Sequence, residues 1–166
     1  RLYPSGDGTL GNLLDAMEAG GIAQAVMCPI ATKPEQADVI LRTALEMRDG
    51  GRGGRAARMI VPLASVHPAD PEYARHLKAV ADAGIRGIKL HPYYQGFALD
   101  DPRYVPFFAA VRDAGLLVQC HCGQDLGFAA GGLCGPANIA ELLAHVKGLV
   151  FVAAHLGGWS AHGEGE

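Results

Sequence analysis

The sequence is poor in charged residues, and charge of one sign is not concentrated anywhere along it. Asp, Glu, Lys and Arg make up 19% of the 166 residues, and the formal net charge is −3. One stretch, residues 52–58, holds three arginines, but glycines separate them. A nucleic-acid-binding surface needs Lys and Arg clustered on one face. The composition therefore argues against a nucleic acid as partner.

Long hydrophobic runs and paired cysteines are also missing. No apolar run approaches the roughly 20 residues that a membrane-spanning helix needs, and no signal peptide opens the chain. The four cysteines form no CxxC pair and are too sparse for a disulfide framework. We therefore expect no membrane partner and a reducing, cytoplasmic compartment.

What the sequence does contain is an alternation of helical patterns with short apolar runs. Leu10, Leu13, Leu14 and Met17 have the spacing of one helix face, and a similar spacing recurs in later segments. The apolar runs between the helical patterns are residues 22–28, 59–66, 85–90, 116–120 and 149–154. Runs that are apolar on both faces are typical of a buried parallel sheet.

Local signals mark several helix ends. Thr32 with Glu35 three residues later predicts a capping box at the start of a helix. Three predicted helices end in an acidic residue, alanine and glycine, which predicts left-handed glycines at Gly20, Gly84 and Gly115.

Two α/β architectures fit this alternation: an open doubly wound sheet and a closed barrel. The sequence has no GxGxxG after its first strand and no Walker loop, which argues against the nucleotide-binding open sheet. A complete parallel (β/α)₈ TIM barrel takes about 250 residues. We therefore predict one domain over residues 1–166 that forms an incomplete TIM barrel, about strands 2 to 6, and that is truncated at both ends.

Histidines follow four of the predicted strands. They are His67, His91, His121 and His155. In a barrel these positions meet at one mouth, where enzymes of this fold place their active sites. A neutral imidazole is a good ligand for Zn²⁺ and similar ions, and an unligated one can move protons near neutral pH. The pattern indicates a candidate metal or acid–base site.

The polar residues at these strand ends differ in how strongly the sequence supports a functional role for them. His67 precedes a proline and is typical of a loop turn, whereas His91 fits a substrate contact and a structural hydrogen bond equally well. His121 and His155 each follow a wholly apolar strand, which favours a function for both. Lys89 fits a satisfied ion pair, and it also fits a snorkelling side chain, a carboxylate-binding cation, a Schiff-base lysine or a carboxylated metal bridge.

Three motifs in this order resemble a known family. They are GIKLHP at 87–92, VQCHCG at 118–123 and AAHLGG at 153–158. Together they resemble the amidohydrolase-2 family, the branch of the amidohydrolase superfamily that includes aminocarboxymuconate-semialdehyde decarboxylase. The segment GIAQAV at 21–26 is similar to the second strand of that family. The resemblance covers nearly the whole chain and implies a TIM-barrel, metal-dependent hydrolase.

The resemblance also implies roles for individual residues. His121 would be a metal ligand, and His155 would be the catalytic acid/base beside a metal-activated water or a ligand of a second metal. Lys89 and His91 would lie near a small carbonyl or carboxylate substrate. The cofactor implied is a divalent metal, either zinc or a manganese-like ion.

The sequence departs from the family pattern at the metal site. The family carries an HxH pair on its first strand and an aspartate on its eighth, and this sequence contains no HxH. One histidine cannot hold a catalytic zinc, which normally takes three protein ligands. We therefore expect the chain as it stands to be inactive or poor in metal, with the missing ligands in its parent protein.

Other functions remain open at this point. The parent could be a nonoxidative decarboxylase of the same family, or a metal-free lyase that uses Lys89 as a Schiff-base nucleophile. A third reading is non-catalytic: a barrel fragment whose open edges are covered by a partner or by a second copy in a homo-oligomer.

Overall fold

Parallel strands alternate with helices along the chain. The computed structural model describes residues 6–49, 54–129 and 131–158. Its strands are β1 (Ala25–Met27), β2 (Ile60–Pro62), β3 (Gly87–Leu90), β4 (Leu117–Cys120) and β5 (Phe151–Ala153). Its helices are α1 (Leu10–Ala19), α2 (Ala37–Arg48), α3 (Arg55–Met59), α4 (Tyr73–Asp82), α5 (Pro92–Gln95), α6 (Val105–Asp113) and α7 (Pro136–His145). Each strand lies within one of the predicted apolar runs, which confirms a mixed α/β fold.

The strands pair in the order in which they occur along the chain. β1 pairs with β2, and β3, β4 and β5 form a second sheet; both sheets are parallel. A parallel bridge between Ala64 and Ile88 joins the two sheets, because Ala64 accepts from Lys89 N and donates to Gly87 O. All the carboxyl ends therefore lie along one edge, as parallel pairing requires.

The helices pack on one face of the sheets. Ile88, Val118 and Cys120 are fully buried there, in a cluster that includes Phe107 and Phe108 of α6. A smaller cluster packs α1 against Ile60 and its neighbours on the first sheet. Burial of these apolar side chains is the main favourable term for this arrangement.

The opposite face of the sheets is apolar but largely uncovered. Side chains alternate across a strand, so Val26, Val61 and Val152 lie on the face away from the helices. They are 57%, 37% and 46% exposed, respectively. Lys89 and Gln119, which pair across β3 and β4, share that face. Among the described residues, no helix is long and apolar enough to cross a membrane.

The predicted helix signals are confirmed in part. Gly84 and Gly115 have the left-handed conformation, with φ of +74° and +70°. Gly20 does not adopt the left-handed conformation. The following residue, Gly21, adopts it instead, with φ of +67°, because the turn after α1 contains one more residue than expected. The Thr32–Glu35 capping box is also wrong: Thr32 and the Lys33 amide both bond to Oε1 of Gln36.

Candidate active site

Three of the strand-end histidines lie side by side at the carboxyl edge of the second sheet. His91 follows β3 directly, His121 follows β4, and His155 comes two residues after β5. The ring of His91 stacks on that of His121, with centroids 4.1 Å apart and planes 9° from parallel. Nδ1 of His121 lies 3.1 Å from Nε2 of His155. The structure thus brings together three histidines that are about 30 residues apart in sequence because their strands are neighbours.

His155 has an unusual backbone conformation. Its φ is +57°, in the left-handed region that non-glycine residues rarely adopt, and Leu156 has φ of +56°. Such strain persists only where surrounding structure holds it, and it is common at active sites. The conformation turns the chain after β5 and leaves the His155 ring beside His121.

A carboxylate joins this group from the loop after β4. Oδ2 of Asp125 lies 3.3 Å from Nε2 of His91, and Oδ1 accepts a 2.7 Å hydrogen bond from the backbone amide of Gly127. Sequence reasoning missed Asp125. Its signal was a position four residues after His121, in a turn that ends in glycine.

The group opens onto a cleft of about 310 Å³. Its walls are His121, Gln124, Asp125, Leu126 and His155. The loop that forms one side is tied down by Gln124, whose amide donates to three carbonyl oxygens and whose oxygen accepts from the Tyr93 hydroxyl. These hydrogen bonds keep Asp125 next to the histidines, although Asp125 lies outside any helix or strand.

An aromatic cluster borders the same loop. Phe128 packs against the rings of Tyr93 and Tyr94, with centroids 5.5 and 5.2 Å apart. Tyr94 also meets the ring of His91 edge-on at 4.4 Å. Tyr94 and Phe128 are 50% and 40% exposed, so they present apolar surface beside the histidines.

Burial disfavours the protonated, charged forms of the basic groups in the site. Loss of solvent, with the charges of His121 and Lys89 adding to it, lowers the pKa of His91 to about 4. Burial also lowers the pKa of His121, and His155 acts in the same direction. His91 is therefore a neutral imidazole at pH 7, as a metal ligand or a hydrogen-bonding group must be.

Lys89 lies close to this group without a counter-ion. It is 8% exposed, and burial lowers the pKa of its ammonium group. The ion pair, one of the alternatives that the sequence left open for Lys89, is not formed: within residues 6–49, 54–129 and 131–158, Lys89 makes no salt bridge. A buried amine without a partner is available to an anionic ligand or as a nucleophile.

The remaining histidines have other surroundings. Nδ1 of His67 accepts from the amide of Ala69 in its own turn, as the proline-turn interpretation expects. His76, to which the sequence assigned nothing, is buried on α4 with Nδ1 2.5 Å from Oδ2 of Asp70. Its other nitrogen faces Asp38, away from the strand-end group.

Two buried polar residues brace the strand ends beneath the histidines. Ser65 Oγ donates to the carbonyl of Lys89 at 2.7 Å and accepts from the amide of Ala31 at 2.9 Å. Gln95 accepts from the amide of His91 at 2.8 Å and donates to the carbonyl of Ala31 at 3.0 Å. The sequence gave no local signal for either, since their partners lie up to 64 residues away.

The donor set fits a divalent cation. One ligand atom from each of His91, His121 and Asp125 lies within 4.8 Å of the others. Nε2 of His121 is buried and has no hydrogen-bond partner among the described residues. A buried, unpaired imidazole nitrogen is costly unless something binds it. These residues could therefore hold a metal ion.

Comparison with known families decides the membership of the chain. The family model described as amidohydrolase matches residues 7–165. The chain belongs to the amidohydrolase family. The expectation from the three strand-end motifs is thereby confirmed. No curated protein matches the sequence.

Two larger solved structures share the fold of this chain. The IDCase of Metarhizium anisopliae, in its apo form, is 22% identical, with a TM-score of 0.68 over 95% of this chain and 49% of its own. The 5-carboxyvanillate decarboxylase of Sphingomonas paucimobilis is 18% identical, with a TM-score of 0.68 over 87% of this chain and 50% of its own. The amidohydrolase chain thus spans about half the length of these two structures.

Proposed function

We propose that this amidohydrolase chain supplies part of the active site of a metal-dependent hydrolase, within a TIM barrel that further strands complete. His121 is a metal ligand and His155 is the general acid/base. The observation that carries the proposal is the 3.1 Å contact between these two rings at the wall of the cleft. The substrate is a small carbonyl or carboxylate compound, and zinc or a manganese-like ion is the cofactor.

The residues of the cleft divide the chemistry between them. A divalent cation held by His121 would supply Lewis-acid polarisation of a carbonyl oxygen. His155 moves the proton, since imidazole is the commonest general acid/base in enzymes. Lys89 is a buried cation without a counter-ion and suits a substrate carboxylate, with the neutral His91 as a hydrogen-bonding neighbour.

A comparison of His155→Ala with His145→Ala tests the proposal. In the complete parent protein, assayed against a panel of small amides, lactones and carboxylates, we expect loss of the His155 side chain to lower kcat by about 10²- to 10⁴-fold. His145 lies 55% exposed on α7, so its replacement should leave the activity unchanged. Activity that survives exhaustive chelation, or the His155→Ala substitution, would contradict a metal-dependent hydrolase.

Nonoxidative decarboxylation is the second candidate. Its support is the fold shared with a 5-carboxyvanillate decarboxylase, together with the unpaired Lys89 near the histidines. Isotopes separate the two reactions. Hydrolysis places oxygen from H₂¹⁸O in the product, whereas decarboxylation in D₂O releases CO₂ and places deuterium on the carbon that lost it.

A Schiff-base lyase remains as a third candidate because burial favours the neutral, nucleophilic form of Lys89. Borohydride reduction with substrate present should then attach the substrate to Lys89. Protein that stays unmodified, while Lys89→Gln loses only substrate affinity, would leave Lys89 as a carboxylate-binding residue.

A further inference from the structure

Asp125 is held in a fixed orientation at the wall of the cleft. The Gly127 amide bonds to one carboxylate oxygen at 2.7 Å, and the other lies 3.3 Å from Nε2 of His91. The side chain is 17% exposed, although it stands on a loop. A loop carboxylate on a solvated surface would be free to turn; this one is oriented toward the histidines.

The stacking of the two histidines limits which of them can bind a cation. An imidazole lone pair lies in the plane of its ring, and Zn²⁺ sits about 2.0–2.1 Å from the nitrogen. The rings of His91 and His121 lie one above the other, 4.1 Å apart and 9° from parallel. One ion therefore cannot lie in both ring planes. His121 is the ligand of the two, because its ring lines the cleft together with Asp125, whereas the ring of His91 does not. Buried nitrogens without a partner among the described residues occur in both rings, Nε2 in His121 and Nδ1 in His91.

Charge also points to Asp125. An imidazole cannot supply a negative charge, and both His91 and His121 are buried. A divalent cation held by imidazoles alone would keep its charge uncompensated in a poorly solvated site. A carboxylate within 4.8 Å of the histidine nitrogens offsets this charge and gives the ion a hard oxygen ligand.

We propose that Asp125 is a metal ligand, which binds the same divalent cation as His121, and that His91 stands beside this carboxylate rather than on the ion. The inference rests on the proposed metal-dependent function and adds a ligand from the loop after β4. Ligating carboxylates are usually oriented by neighbouring polar groups, which is the arrangement that Gly127 and His91 provide.

The test measures metal binding rather than activity. The complete parent protein is stripped with a chelator and titrated with Co²⁺, and the visible absorption band of the bound ion is followed for the wild type, Asp125→Asn and Asp113→Asn. Asp113 is a matched control, because it is 67% exposed and its carboxylate pairs with Arg112 on the surface. Asparagine keeps the oxygen that accepts from Gly127, so the loop should keep its conformation.

We expect Asp125→Asn to weaken Co²⁺ binding by at least about tenfold. Removal of a residue that only hydrogen-bonds to a metal ligand already costs about 10- to 100-fold in metal affinity, and removal of a ligand should cost no less. Asp113→Asn should bind like the wild type. Equal melting temperatures of the metal-free proteins would exclude unfolding as the cause. Unchanged affinity in Asp125→Asn, beside a large loss in His121→Ala, would overturn the role of Asp125 and leave the metal site standing. A wild-type parent protein that binds no Co²⁺ would overturn the metal-dependent function as well.

Discussion

Single residues beneath the site matter as much as those that line it. Ser65 and Gln95 join the strand ends through four buried hydrogen bonds to the backbone of Ala31, Lys89 and His91. A buried backbone group without a partner costs about 1–3 kcal/mol, so each of these side chains satisfies groups that the sheet leaves unpaired. Their role is to fix the backbone from which Lys89 and His91 project.

Replacement of Ser65 tests this bracing. Ser65→Ala leaves the amide of Ala31 and the carbonyl of Lys89 without this hydroxyl, and we expect it to lower the free energy of unfolding by about 1–3 kcal/mol. Urea denaturation measures the change. Thr43→Ala, which removes an exposed hydroxyl bonded to the Val39 carbonyl, should change stability by less than about 0.5 kcal/mol. Equal effects of the two substitutions would argue against a bracing role.

At the scale of elements, the close approach of β3 to β4 sets the distance between His91 and His121. Gly87 opens β3 and pairs with Leu117 of β4. A Cβ atom at Gly87 would lie 2.5 Å from the carbonyl oxygen of Leu117 and 2.6 Å from its Cγ. The strands could not keep this spacing with any larger residue. The glycine of the GIKLHP motif thus has a packing reason that is separate from the chemistry of its lysine and histidine.

We expect Gly87→Ala to destabilise the fold by about 1–3 kcal/mol, the usual cost of overpacking, and to separate the strands that carry the two histidines. Gly11→Ala should have the opposite sign. Gly11 lies exposed in α1 with no atom closer than 3.9 Å to an added Cβ, so alanine should stabilise the helix by up to about 1 kcal/mol. Thermal unfolding of both variants measures these changes in stability. A Gly87→Ala protein as stable as the wild type would contradict the close approach of β3 to β4 at Gly87.

At the scale of the whole molecule, the sheet has one covered and one uncovered face. The helices bury the first, whereas Val26, Val61 and Val152 on the second are between 37% and 57% exposed. Apolar surface of this kind on a sheet with open edges favours association. The chain aligns with about half of each of the two larger enzymes, so in them further chain is available to cover the corresponding face.

The uncovered face predicts self-association of the 166-residue chain. We expect sedimentation velocity to show oligomers that grow with concentration, and Val152→Lys to reduce them by placing a charge on the apolar face. Val39→Lys is the matched control, since Val39 is 49% exposed on α2. A wild-type chain that stays monomeric at every concentration would contradict self-association through this face.

Much of the fold could be predicted from sequence because its signals are local. The spacing of Leu10, Leu14 and Met17 along one helix face, and the apolar runs that became strands, depend only on neighbouring residues. Helix ends were less reliable: the side chain of Gln36, not that of Glu35, accepts from the Lys33 amide, and it caps the short 3-10 turn Pro34–Gln36 that precedes α2.

The order of the strand-end histidines along the chain determined that a candidate site exists, since parallel strands end at one edge. Only the tertiary structure decided its composition. It stacked His91 on His121, brought His155 to 3.1 Å from His121, left Lys89 without a salt bridge to any described residue, and added Asp125 from a loop. The physical reason is that these contacts depend on strand register and on a loop held by Gln124, and neither follows from the spacing of residues in the sequence.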